Sequence, residues 1–172
     1  MKKAYYCPTQ LWCSPDASHA FFAKCADKYG VSLHVQQGND LGERMNHAIN
    51  TALKTSTTVL LVGCDCPSLR ISDFESALDV LQLEDNDIVI SPAEDGGYVM
   101  IGMKNPYPSL FTQMTWGHEH VYLNTLQRIA DLGLGFLNLI NIGILIHLKI
   151  YCDYALARVK FNNNGYVFVF LN

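Results

Sequence analysis

Charge is scarce in this chain of 172 residues: only 16% are Asp, Glu, Lys or Arg, against about 25% in a typical soluble domain. The scarcity is local. Residues 133–172 hold just Lys149, Asp153, Arg158 and Lys160, whereas the first 132 residues hold the rest. An ordinary globular body is followed by an apolar tail. With 12 basic and 16 acidic side chains the formal net charge is −4. A duplex nucleic acid partner is therefore not expected, since phosphate binding needs a basic patch. No run of like charge forms a binding tail. The N-terminus lacks the apolar stretch of a secretory signal, so a cytoplasmic location is expected. None of the six cysteines forms a Cys-x-x-Cys pair, which removes the usual zinc spacings and leaves free thiols as the simplest reading. Residues 132–151 are mostly apolar, but Asn138, Asn141, His147, Lys149 and three glycines interrupt them. Polar and charged side chains at bilayer depth cost a few kcal/mol each, so buried strands are expected there and no membrane partner.

The remaining pattern alternates strands and helices. Leu11–Cys13 is a short apolar run, and Ser14-Pro15 marks a helix start with proline at the first position. Phe21, Phe22, Cys25, Ala26 and Tyr29 recur at helical spacing up to Gly30. Val31–Val35 alternates like a strand. Met45, Ala48, Ile49, Ala52 and Leu53 form one helix face, and Thr58–Gly63 is a β-branched apolar run suited to a strand covered on both faces. Ser72-Asp73-Phe74-Glu75 reads as a capping box, ahead of a helix face of Phe74, Ala77, Leu78 and Leu81. Asp87–Ser91 and Tyr98–Met103 are further strands. Tyr122, Leu126, Ile129 and Ala130 form a helix face closed by Gly133, and Tyr166–Leu171 reads as a last strand. Alternation repeated this often predicts one α/β domain over 1–172, a mainly parallel sheet flanked by helices.

Ligands of such sheets bind beyond the carboxyl ends of the strands, where two acidic motifs fall. Gly63-Cys64-Asp65-Cys66-Pro67 follows the apolar strand, and a carboxylate there suits Mg²⁺ or Mn²⁺ carrying a diphosphate. The alternative for Asp65 is a turn or a helix cap. Pro92-Ala93-Glu94-Asp95-Gly96-Gly97-Tyr98 puts two acids on a glycine turn, either to reach a substrate or as a plain hairpin. Gln36-Gln37-Gly38-Asn39-Asp40-Leu41-Gly42-Glu43-Arg44-Met45 is a strand-to-helix turn with an arginine in the first helical turns, a combination that favours anions. It carries neither Gly-x-Gly-x-x-Gly nor a Walker loop. His118-Glu119-His120 lacks zinc-protease spacing and reads as a helix start. Trp116 lines a pocket or packs.

Together these stretches resemble a family of small bacterial GT-A-like glycosyltransferases labelled arsenosugar-biosynthesis glycosyltransferases, related to the cofactor guanylyltransferases of the nucleotide-diphospho-sugar transferase superfamily. The likeness is carried by Leu11–Asp16, Gln36–Gly38, Asp40–Met45, Gly63–Leu69, Ser91–Tyr98 with Ile101-Gly102, and Trp116 with Val121 and Thr125. They occur in the family's order across about residues 11–133; residues 134–172 diverge. The resemblance implies a Rossmann-like GT-A fold transferring a sugar from a nucleoside-diphosphate sugar to a small-molecule acceptor with a divalent metal. It assigns Asp65 and Asp153 to the metal, and Gln37, Gly38, Arg44, Gly96, Gly97 and Trp116 to nucleotide and sugar. Glu94 and Asp95 become the catalytic acids, Asp95 orienting or deprotonating the acceptor.

The family begins with a strand and a Lys/Arg-bearing phosphate loop that have no counterpart here. On that comparison the chain is expected to be N-terminally truncated and its sheet to lack a central first strand. Two competing readings follow: a non-catalytic or partner-dependent fragment of the family, and a thiol or metal-binding protein using Cys64, Cys66 and the histidines.

Overall fold

The computed structural model describes residues 8–64, 66 and 69–139, and the backbone of 166–171. The strands are β1 (Thr9–Cys13), β2 (Ser32–Val35), β3 (Thr58–Gly63), β4 (Ile88–Pro92), β5 (Tyr98–Met103), β6 (Phe136–Asn138) and β7 (Tyr166–Leu171); the helices are α1 (Ala20–Tyr29), α2 (Leu41–Ala52), α3 (Ile71–Gln82) and α4 (Val121–Asp131). All seven strands join one sheet in the order β2-β1-β7-β3-β5-β4-β6. The β1–β2, β1–β7, β3–β7 and β4–β6 pairings are parallel, and β5 runs antiparallel to both β3 and β4. The sheet is thus mainly parallel, as the strand–helix alternation predicts.

The centre of the sheet differs from expectation. No gap separates β1 from β3, because β7 lies between them. Thr58–Gly63 pairs with Tyr166–Leu171 along one edge, and Thr9–Trp12 with Phe168–Leu171 along the other. A strand from the charge-poor tail thereby satisfies backbone groups that two central strands would otherwise leave unpaired.

Alternation within the strands sorts the core into two layers. Leu60 and Val62 of β3 face α1 and α3 with Phe22, Cys25, Phe74 and Leu78. Val59 and Leu61 face the other way, against α2 and α4 with Met45, Ile49 and Ile129. This period of two, with each fully buried aliphatic side chain contributing about 1.5–3 kcal/mol, fixes the β3 register. Among the described residues no helix is long and apolar enough to cross a membrane.

Two helix starts depart from the sequence reading. α1 begins at Ala20, not beside Ser14-Pro15. The Asp16 carboxylate takes the Ser18 N–H at 2.8 Å, making a turn that holds this stretch outside the helix. His19 is the cap, its Nδ1 accepting from the Phe21 N–H at 3.2 Å. α3 begins at Ile71, ahead of Ser72. Asp73 Oδ2 accepts the Arg70 N–H at 2.6 Å, so Asp73, and not the Glu75 of the expected box, is the acid of a box that starts two residues earlier.

Candidate functional site

The carboxyl ends of β2, β3 and β4 open onto a cleft of about 730 Å³, within the size range of small-molecule sites. Four segments build it.

The first is the start of α2, from which Leu41, Arg44 and Met45 line the cleft. Asp40 Oδ1 accepts the Glu43 N–H at 2.8 Å, and Glu43 Oε2 accepts the Asn39 N–H at 2.7 Å. These two bonds fix the turn before the helix. Gly38 serves that turn: its carbonyl accepts from Arg44 Nε at 3.1 Å, which ties down the arginine. Asp40→Ala is expected to cost about 1 kcal/mol and to loosen Arg44; denaturant unfolding and Arg44 side-chain NMR check both. Gln37 is exposed and Gln36 lines the cleft instead. The Gln36 N–H donates to Cys13 O at 2.9 Å, extending the β1–β2 ladder, and Gln36 Nε2 donates to Trp12 O at 2.9 Å.

The second segment follows β3, where Gly63 and Cys66 line the cleft. Asp65 lies outside the described residues, as does Asp153. Cys13, Cys25 and Cys66 are buried, and burial, with Cys25 and Asp16 nearby, pushes the Cys13 thiol up to about 11. Burial of this kind works against thiolate chemistry. Among the described residues no three His, Cys, Asp or Glu side chains group as metal ligands.

The third segment is the β4–β5 hairpin. The Ala93 N–H donates to Gly97 O at 3.0 Å, and Asp95 Oδ1 accepts the Gly97 N–H at 3.0 Å. Asp95 and Gly97 line the cleft; Glu94 is exposed and does not. Gly96 faces protein. Its φ is +83°, and a Cβ there would collide with the Glu119 carbonyl. The Gly96 carbonyl accepts the Tyr122 N–H at 2.8 Å. The hairpin reading and the substrate-facing reading of this motif are therefore compatible.

The fourth segment runs from Phe111 to α4. Arg128 clamps it, donating to the carbonyls of Ser109 at 2.9 Å and Gln113 at 3.0 Å. Trp116, His118 and Glu119 reach the cleft. Gly42 lets this loop lie on α2, because a Cβ there would run into Phe111 O and the Trp116 ring. The Trp116 Nε1–H is buried without an acceptor among the described residues. His120 stands at the N-terminal boundary of α4 without a side-chain capping bond, where the helix-start reading of His118-Glu119-His120 puts it. That reading does not include the exposure of His118 and Glu119 to the cleft. The available signal is their place just before a helix, at the same end of the sheet as the acidic turns.

Of the ten residues picked from sequence, Arg44, Asp95, Gly97 and Trp116 meet at the cleft. Tyr98 completes the wall; burial pushes its hydroxyl well above the ordinary tyrosine range, so it stays neutral, 4.0 Å from Met45 Sδ.

A helix-flanked, mainly parallel sheet with a cleft at its strand carboxyl ends defines a Rossmann-like α/β protein. The chain is similar to the crystal structure of a "putative nucleotide-diphospho-sugar transferase" from Desulfovibrio desulfuricans G20, with 34% identity and a TM-score of 0.67 over 76% of this chain and 57% of that one. Residues 1–118 match the family described as uncharacterized protein conserved in bacteria (DUF2064), and the chain belongs to that family. No curated protein matches it. The chain spans little more than half the length of the similar structure.

Proposed function

We propose that the cleft binds a nucleoside-diphosphate sugar and transfers its sugar to the hydroxyl of a small acceptor. The observation that carries this reading is the pairing, in one cleft of a nucleotide-diphospho-sugar transferase fold, of a tethered arginine with an acid-bearing hairpin. Arg44, in the first turns of α2, binds the diphosphate, since guanidinium and helix N-terminus both favour anions. Trp116 offers a flat half-buried surface to base or sugar. Gly97 leaves room beside Asp95, whose carboxylate is set by the Gly97 N–H and orients the acceptor hydroxyl. Gly38 and Gly96 hold the turns behind the cleft, and the exposed Gln37 and Glu94 are the further proposed contacts to nucleotide and acceptor.

A divalent cation fits the donor chemistry available. Oxygen ligands suit Mg²⁺ or Mn²⁺, Asp95 and Glu119 line the cleft, and Asp65 stands in sequence between the lining residues Gly63 and Cys66. Asp65 and Asp153 are the proposed ligands. When bound, the ion neutralises charge on the departing diphosphate.

Arg44→Ala tests the reading. A lost charged hydrogen bond is worth about 1.5–3 kcal/mol, so binding of UDP-glucose or GDP-mannose should weaken by roughly ten- to a hundredfold with the circular dichroism spectrum intact. Asp65→Ala should remove the effect of Mn²⁺ on that binding. Unchanged affinity in Arg44→Ala would place the diphosphate elsewhere.

A further inference from the structure

We infer that Glu119 is the proton-accepting residue of the cleft, working beside Asp95. This rests on the transferase reading and assigns a role in the same site. Both acids line one cavity of about 730 Å³. They stand on separate loops that are locked together: the backbone of Glu119 lies so close over Gly96 that no side chain fits between, and the Tyr122 N–H binds Gly96 O at 2.8 Å. The turn that carries Asp95 and the loop that carries Glu119 are thus locked together through Gly96 by backbone contacts.

Their side chains differ in freedom. Asp95 Oδ1 accepts the Gly97 N–H at 3.0 Å, which aims the carboxylate and takes up part of its accepting capacity. The Glu119 side chain is 80% exposed, with its Oε1 3.6 Å from His120 Nε2. The other charged or titratable groups lining the cleft include Arg44 and His118. Glu119 therefore has the reach and the open oxygens for proton transfer, and Asp95 has the fixed geometry for orientation.

The step balances without another reactant. The acceptor hydroxyl gives its proton to the Glu119 carboxylate as its oxygen bonds to the anomeric carbon. The bond from that carbon to the diphosphate breaks, and its electron pair leaves with the nucleoside diphosphate. Glu119, open to water, then releases the proton to solvent.

The test compares Glu119→Gln and Glu119→Ala with the unaltered chain, using UDP-glucose and GDP-mannose with Mn²⁺. Calorimetry reads donor affinity, and nucleoside diphosphate release reads turnover with water as acceptor. Donor affinity should stay within about threefold, since the assigned role is toward the acceptor hydroxyl and not the donor diphosphate. Turnover should fall by about a hundredfold or more, the usual contribution of a positioned acid or base. Added formate should restore part of the Glu119→Ala rate, a rescue that a structural role would not give. Turnover of Glu119→Gln within about threefold of the unaltered chain, with donor still bound, would overturn this assignment alone. No donor binding by the unaltered chain would overturn the transferase reading and this assignment with it.

Discussion

Gly96→Ala is expected to destabilise the protein by about 3 kcal/mol, and to do so through backbone. A left-handed conformation costs a non-glycine residue about 1–2 kcal/mol. The new methyl would also collide with the carbonyl and Cα of Glu119. Those atoms cannot rotate aside as a side chain could, so the His118–Glu119 loop must lift from the hairpin. Gly117→Ala is the matched control. Gly117 has a φ of +77° but nothing within 4 Å of an added Cβ, so it should lose only the conformational part, about 1–2 kcal/mol. Urea unfolding of the two variants isolates the loop contact as their difference. Equal losses would mean that the hairpin and the loop are not locked together.

Trp12→Ala should have a comparable or larger effect. Trp12 is 2% exposed. Its ring stacks on His34 at 4.8 Å and meets the edge of His47 at 5.4 Å, and its Nε1 donates to Gln10 at 2.9 Å. Truncating a buried aromatic costs about 3–5 kcal/mol, a large share of the roughly 5–15 kcal/mol that holds a typical domain together. The midpoint of urea unfolding checks the size. A shift worth under about 1.5 kcal/mol would show that the site tolerates the void.

Periodicity marks the sheet and its layers because burial acts on every residue of an element. Met45, Ala48, Ile49 and Ala52 are all buried on α2, and Thr58–Gly63 is β3 to the residue. The starts of α1 and α3 escape that signal because single side-chain hydrogen bonds, Asp16 to Ser18 and Asp73 to Arg70, set them. The place of β7 in the sheet is not legible either. A run such as Tyr-Val-Phe-Val-Phe-Leu announces a strand, but nothing local says between which strands it inserts.

The cleft is legible by position and less so by residue. Strand-end and helix-start rules draw attention to the turns that carry Asp95, Gly97 and Arg44, and the family resemblance adds Trp116; the structure brings these four together. The family resemblance points to Gln37 rather than Gln36 because a matched motif does not report which way a residue faces; Gln36 lines the cleft, and its N–H adds one more ladder bond to Cys13. Glu94 and Asp95 look equivalent in sequence, yet of the two Asp95 faces the cleft. Glu119 is hidden in a helix-start signal that describes its backbone correctly.

The central claim is that this cleft recognises a nucleotide-sugar. Isothermal titration of the purified chain with UDP-glucose and GDP-mannose, with and without Mn²⁺, tests it most directly. The account predicts saturable binding of at least one donor at a single site, tighter with Mn²⁺. Absence of binding by both donors up to millimolar concentration, with and without the ion, would contradict it.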